Sequence, residues 1–181
     1  MKTSSRAEGG FALLEVMIGA TIVVTIMAAS MSAQTITTGV MNESVARTML
    51  QESALFGAKD VGHEMRWCDA AALIFSTSNG ATRVDLRTPV DYVSGAPVWS
   101  NTVTYEVVQS PFDSNGNGTL DDWRLVRTEN GTRRTICDHV IAGGFTATRT
   151  GNQVTLQLSL LRMYQSRPLT ADVSTVASLR N

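Results

Sequence analysis

The chain has 181 residues and a formal net charge of −1, with 15 Lys and Arg against 16 Asp and Glu. That balance offers no basic surface for nucleic acid. Hydrophobic residues make up 43% and there is no long repeat or low-complexity tract, which excludes a disordered chain. Once the N-terminal segment is set aside, the length leaves room for one domain of modest size.

Met1 to Gly10 is short and polar, with Lys2 and Arg6 against Glu8. Phe11 to Ala33 then contains no Lys, Arg, Asp or Pro, and Glu15 is its only charge. As a helix rising about 1.5 Å per residue this run extends roughly 34 Å, enough for a hydrocarbon core of about 30 Å. Its polar residues are small: Gly19, Thr21, Thr25, Ser30 and Ser32. Their hydroxyls can bond back to the helix, and their size lets helices approach closely. Basic residues before the span and few just after it predict a cytoplasmic N-terminus and an exported remainder.

Glu15 needs a partner, because a carboxylate at the centre of a membrane helix costs roughly 2.5–3.5 kcal/mol, though less near an end. A cut after Gly10 would give Phe11 a free amine one helical turn from Glu15. Opposite charges at that separation in a low dielectric attract strongly, within one chain or between staggered neighbours. The alternative is a lone Glu snorkelling to the interface. The rival for the whole segment is a secretory signal peptide cut after Ala28-Ala29-Ser30. Against it, the apolar stretch exceeds the usual span of about 7–15 residues and carries an acid that would serve no purpose there.

Gly9-Gly10-Phe11-Ala12-Leu13-Leu14-Glu15-Val16-Met17-Ile18 resembles the processing site and opening helix of type IV pilins and type II secretion pseudopilins. The resemblance is close over roughly residues 1–35 and general in layout beyond. It implies that a prepilin peptidase cuts between Gly10 and Phe11 and methylates the new amine. It also implies that Glu15 docks on the Phe11 amine of an adjacent subunit as a filament grows. Many major pilins carry a proline about two-thirds along this helix; Ser32 stands in that region here, which leans towards a minor subunit.

Residues 34–67 are mixed in character. Met41, Val45, Met49 and Phe56 keep a helical stripe beside Glu43, Arg47, Glu52 and Lys59. The spacing predicts an amphipathic continuation of the helix to Trp67, its stripe packed on the domain's own sheet. Gly39, Gly57 and Gly62 weaken it and are places to bend or end it.

From Ala72 the period becomes that of strands. Ala72–Thr77 and Ala81–Arg87 flank a Ser78-Asn79-Gly80 turn, and Thr102–Gln109 alternates Val103, Tyr105 and Val107. Trp123–Thr128 and Arg133–Cys137 surround Glu129-Asn130-Gly131-Thr132; Phe145–Thr150 and Gln153–Leu161 flank Gly151-Asn152. In the last of these Val154, Leu156, Leu158 and Leu160 alternate with polar residues, which fits one face on a helix. The tail from Ser166 is polar and expected to be loosely held. The fold class predicted is α+β, a long N-terminal helix packed on an antiparallel sheet, as in pilin-like domains. The segments are 1–10 leader, 11–33 membrane and assembly helix, 34–67 amphipathic helix, 68–165 exported domain and 166–181 tail. The succession of a Val-Thr-Tyr strand, an acidic Asn/Gly loop, a Leu-Val-Arg strand and Asp138-His139-Val140-Ile141 also resembles minor subunits of the J-type pseudopilin and W-type minor pilin sort.

Asp113 to Asp122 matches the first half of a calcium loop, with oxygen side chains at alternate positions followed by Gly. Asp113, Asn115 and Asn117 would ligate, the Thr119 carbonyl would add an oxygen, and Asp121 would act directly or through water. Arg124 stands where a bidentate Glu would close the shell, leaving Asp122 or a remote residue for that task. The plain alternative is a loop whose Asx and Gly residues make turns. Cys68 and Cys137 lie on the exported side, where oxidising conditions permit a disulfide worth roughly 4 kcal/mol in the chain-entropy model; two free buried thiols are the alternative. A catalytic arrangement would pair Cys137 with His139 or His63, oriented by Asp138 or Asp69. No elbow or zinc spacing surrounds them, and His63-Glu64-Met65-Arg66-Trp67 lacks a second His, so no enzyme is expected and no cofactor is required. Two functional expectations follow. One is a minor pilin or pseudopilin whose partners are other such subunits, the peptidase and the inner membrane. The other is a membrane-tethered, calcium-dependent binding module that does not polymerise.

Overall fold

The computed structural model describes residues 8–111, 113, 122–165 and 167–180, with the side chains of 8–12 left aside. It divides into two compact units, Met1–Val45 and Ala46–Asn181. A single helix, α1 (Glu8–Arg66), supplies the described part of the first unit and the opening of the second.

In the first unit every described side chain from Leu13 to Thr38 is exposed. Hydroxyls along this stretch bond back to the carbonyl four residues earlier: Thr21 to Met17 at 2.7 Å, Thr25 to Thr21 at 2.7 Å, Ser30 to Ile26 and Ser32 to Ala28 at 2.9 Å. Thr35, Thr37 and Thr38 do the same to Met31, Ala33 and Gln34. These hydroxyls are thereby satisfied within the helix, as a water-free surrounding requires.

The second unit is α+β. Seven strands form one antiparallel sheet: β1 (Ile74–Ser78), β2 (Ala81–Leu86), β5 (Val103–Gln109), β6 (Trp123–Glu129), β7 (Thr132–Thr150), β8 (Gln153–Tyr164) and β9 (Arg167–Ser178), in that spatial order. The short pair β3 (Pro89–Val93) and β4 (Ala96–Trp99) forms a separate ribbon. Tight turns set the register. Asn79 and Gly80, Ser94 and Gly95, and Asn130 and Gly131 all have positive φ, the type I′ geometry that matches strand twist.

The sheet curls because β7 bends. Its ladder with β8 shifts register between Val140 and Phe145, where a Cβ on Gly144 would lie 2.7 Å from the Ser159 carbonyl oxygen and 2.8 Å from that of Ile141. Only glycine fits there. Beyond the bulge β7 meets the far side of the sheet, and the Ala147 amide donates to Thr82 Oγ1 at 3.2 Å.

The helix face on the sheet is not the one the sequence suggested. Ala46, Leu50, Ala54, Ala58, Val61 and Met65 are buried, at steps of four or three residues. All of these but Ala58 share one core with Val154, Leu156, Leu158 and Leu160 of β8 and the inner residues of β2, β5 and β7. The expected stripe points the other way: in the second unit Met49 is 58% and Phe56 67% exposed, and in the first Met41 and Val45 are also exposed. Small residues win the contact because they let the sheet approach. A Cβ on Gly57 would lie 3.1 Å from Leu158 Cδ2 and 3.2 Å from Cys137 Sγ. That packing keeps the helix continuous through Gly57 and Gly62 despite their low propensity, and α1 is unbroken at Gly39 too.

One further expectation is corrected, and of the two alternatives open for the cysteines the structure has the free thiols. The segment taken as a loose tail is β9, paired with β8 along its whole length and burying Leu169, Ala171 and Ala177. Cys68 and Cys137 are free, buried thiols rather than a bonded pair. Cys137 packs at the level of Gly57, whereas Cys68 lies past the helix end at Arg66. Nine helical residues at about 1.5 Å each separate Gly57 from Arg66, well beyond the roughly 7 Å between Cα atoms that a disulfide can span.

Candidate functional site

The residues expected to direct processing and assembly lie within α1, in the first unit. The helix begins at Glu8 and carries Gly10, Phe11 and Glu15 without interruption, so four residues, about 6 Å of rise, separate Phe11 from Glu15. Glu15 is exposed among Leu13, Leu14, Val16, Met17 and Ile18. It is the only charge between Glu8 and Glu43. Among the described residues one helix is long and apolar enough to cross a membrane, with a mean hydropathy of 2.0 over its most apolar window and none of that window buried. An acid so placed, one turn from a backbone nitrogen that proteolysis would turn into an amine, can form an ion pair whose strength rises as water is excluded.

The calcium-loop residues Asn115, Asn117, Thr119 and Asp121 lie outside the described residues. Asp113 is half-buried, and the base of the loop is closed by the Ser110 amide donating to the Asp122 carbonyl at 2.8 Å.

The sulfur and imidazole candidates are set by burial. Burial pushes the Cys137 thiol up to about 12, against a weaker lowering influence from the Leu125 backbone, and raises Cys68 as well. Thiols held this way stay protonated at neutral pH, the opposite of an activated nucleophile. His139 has a φ of 62° and sits between Cys137 and Val140, where the pairing of β7 with β6 shifts register. Its pKa is lowered, first by burial and then by the Arg162 charge, with Asp122 and Asp138 opposing. His63 is exposed on the helix, where it lines an open cleft of about 480 Å3 with Phe56, Lys59, Asp60, Arg134 and Ile136.

Sequence reasoning missed an ionic cluster joining helix to sheet. Arg127 of β6 donates through Nε to Glu64 Oε1 at 2.9 Å and through Nη1 to Glu129 Oε2 at 2.7 Å. The fully buried Tyr105 hydroxyl faces Glu64, and burial together with that carboxylate pushes its pKa well up. Burial opposes the charge on Arg127, but hydrogen bonds to Glu129 and Glu64 outweigh it and raise its pKa. Glu64 and Arg127 are 63 residues apart in sequence, so no local pattern signalled the pair. Its arrangement fixes the rotation of the helix end over the sheet.

Comparison with known proteins gives no match: no family model, no curated protein and no solved structure matches the chain.

Proposed function

We propose that the chain is a minor pilin or pseudopilin. It inserts in the bacterial inner membrane with its N-terminus in the cytoplasm and is cut between Gly10 and Phe11 by a prepilin peptidase that also methylates the new amine. It then joins a type IV pilus or type II secretion pseudopilus, helping to initiate or cap assembly. The observation that carries this reading is Glu15, a lone acid one helical turn from Phe11 in an exposed helix long and apolar enough to cross a bilayer. Such a residue costs about 2.5–3.5 kcal/mol in a membrane if unpaired. The Phe11 amine of a neighbour offsets that cost, so a subunit is most stable where the two meet. This sets register, while the apolar helix supplies packing area. Free hydroxyls would glue helices nonspecifically; here they are turned back onto the chain.

Mass spectrometry of the membrane-extracted protein tests the proposal. A mature terminus at methylated Phe11 supports it; an intact leader, or a terminus near Met31 from signal peptidase, overturns it.

A further inference from the structure

The ribbon β3–β4 is clasped at its base. The Ser100 amide donates to the Thr88 carbonyl at 2.8 Å, and the Thr88 amide donates to Ser100 Oγ at 3.0 Å. This clasp holds the end of β4, at Trp99, near Arg87, the residue that follows β2. The two side chains line a cavity of about 350 Å3, within the size range of small-molecule sites. Its apolar wall is completed by Ile74, Leu86 and Ala72, and Ile74 is 61% exposed at the head of β1.

The polar groups of the cavity leave one positive charge in excess. Asp85 lines it, but Arg83 neutralises that carboxylate through Nε at 3.2 Å and Nη2 at 3.2 Å. Arg87 forms no ion pair among the described residues. Its Nε donates to Thr102 Oγ1 at 2.9 Å, which orients the guanidinium and leaves both terminal nitrogens to donate elsewhere. A planar fork of donors beside an aromatic and aliphatic wall suits a carboxylate attached to an apolar body. A neutral ligand would leave the charge unanswered, and a cation would be repelled by it. We propose that this cavity binds a carboxylate borne on one aromatic or branched apolar group, with the body against Trp99 and Ile74 and the carboxylate on Arg87. A free small acid and the C-terminal residue of a peptide both carry that chemistry. None of the lining residues belongs to α1, so the site does not depend on the proposed assembly role.

The test is isothermal titration calorimetry of the full-length chain in a neutral detergent, with N-acetyl-phenylalanine as the probe. A Kd on the order of 1 mM or tighter is expected for a ligand of this size. N-acetyl-phenylalaninamide lacks the carboxylate and acetate lacks the body; each binds weaker by about tenfold or more. Arg87→Met and Trp99→Ala each weaken binding of the acid about tenfold. Arg87→Lys weakens it less, because it keeps the charge without the fork. Arg134→Met, in the cleft beside His63, leaves binding unchanged. Arg87 is exposed, so a urea melt of Arg87→Met overlays the parent's and separates lost binding from lost folding. The proposal is overturned if the acid does not bind, if the amide or acetate binds equally well, if Arg87→Met binds like the parent, or if Arg134→Met loses as much. A pentapeptide ending in phenylalanine separates the two sources. Binding as tight as the single residue's, lost when the terminus is amidated, identifies a chain end; exclusion of the peptide while the acid binds identifies a free acid.

Discussion

The first unit and the second meet their surroundings in opposite ways along one helix. From Leu13 to Thr38 the apolar side chains face outward and the hydroxyls turn inward onto the backbone; from Ala46 to Met65 the buried face is built from Ala, Gly, Leu, Val and Met against a sheet. The first stretch leaves its apolar area uncovered by the rest of the chain. The second spends the smallest side chains on the closest contact. Hydrophobicity alone does not decide which face of a helix is buried: the room between helix and sheet does.

Substitutions on either side sharpen that contrast. The largest effect falls at Leu158, fully buried beneath Gly57. Leu158→Ala costs about 3 kcal/mol in a urea melt of the whole chain, while Leu14→Ala leaves that melt unchanged; equal effects would erase the distinction. Ile22→Lys places a second charge in the apolar run and costs about 3 kcal/mol of insertion. Alkaline carbonate extraction should release it from membranes. Retention like the parent's would contradict a bilayer role for that stretch.

Arg127→Met strips the partner from Glu64 and Glu129, each partly exposed, and costs about 2 kcal/mol. Loss of the same size in Arg133→Met, an exposed residue 3.6 Å from Glu106, would deny the helix-to-sheet cluster its special weight. The smallest effect is on pH dependence. The folded pKa of His139 lies below its ordinary 6.5, so its contribution is present above pH 6.5 and is lost as pH falls through the folded pKa. His139→Asn, a residue tolerant of positive φ, removes that acid-side loss. An unchanged pH–stability curve would assign the sensitivity elsewhere.

Much was legible because its cause is local. The turns at Asn79-Gly80 and Asn130-Gly131 need φ > 0, so residue type announced them. The alternation of Val154, Leu156, Leu158 and Leu160 declared β8. The strand β9 was hidden because Ala171 and Ala177 are small enough to read as neutral beside exposed Thr170, Asp172 and Ser174. The ribbon β3–β4 has its Ser94-Gly95 turn in plain view, but Pro89 and Pro97 mask the strands around it. For the candidate site, the sequence singles out Gly10, Phe11 and Glu15 because their pattern lies in a ten-residue span. The Glu64–Arg127 pair depends on the tertiary path and left no trace.

The central claim is that Glu15 meets an amine on the next copy, and incorporation of Glu15→Gln tests it most directly. Coexpressed with the parent chain and separated into membrane and sheared-filament fractions, Glu15→Gln should be trimmed at Phe11 normally, remain in the membrane and be depleted about tenfold from filaments, a loss of about 1.4 kcal/mol. Entry into filaments in proportion to its expression would contradict the account.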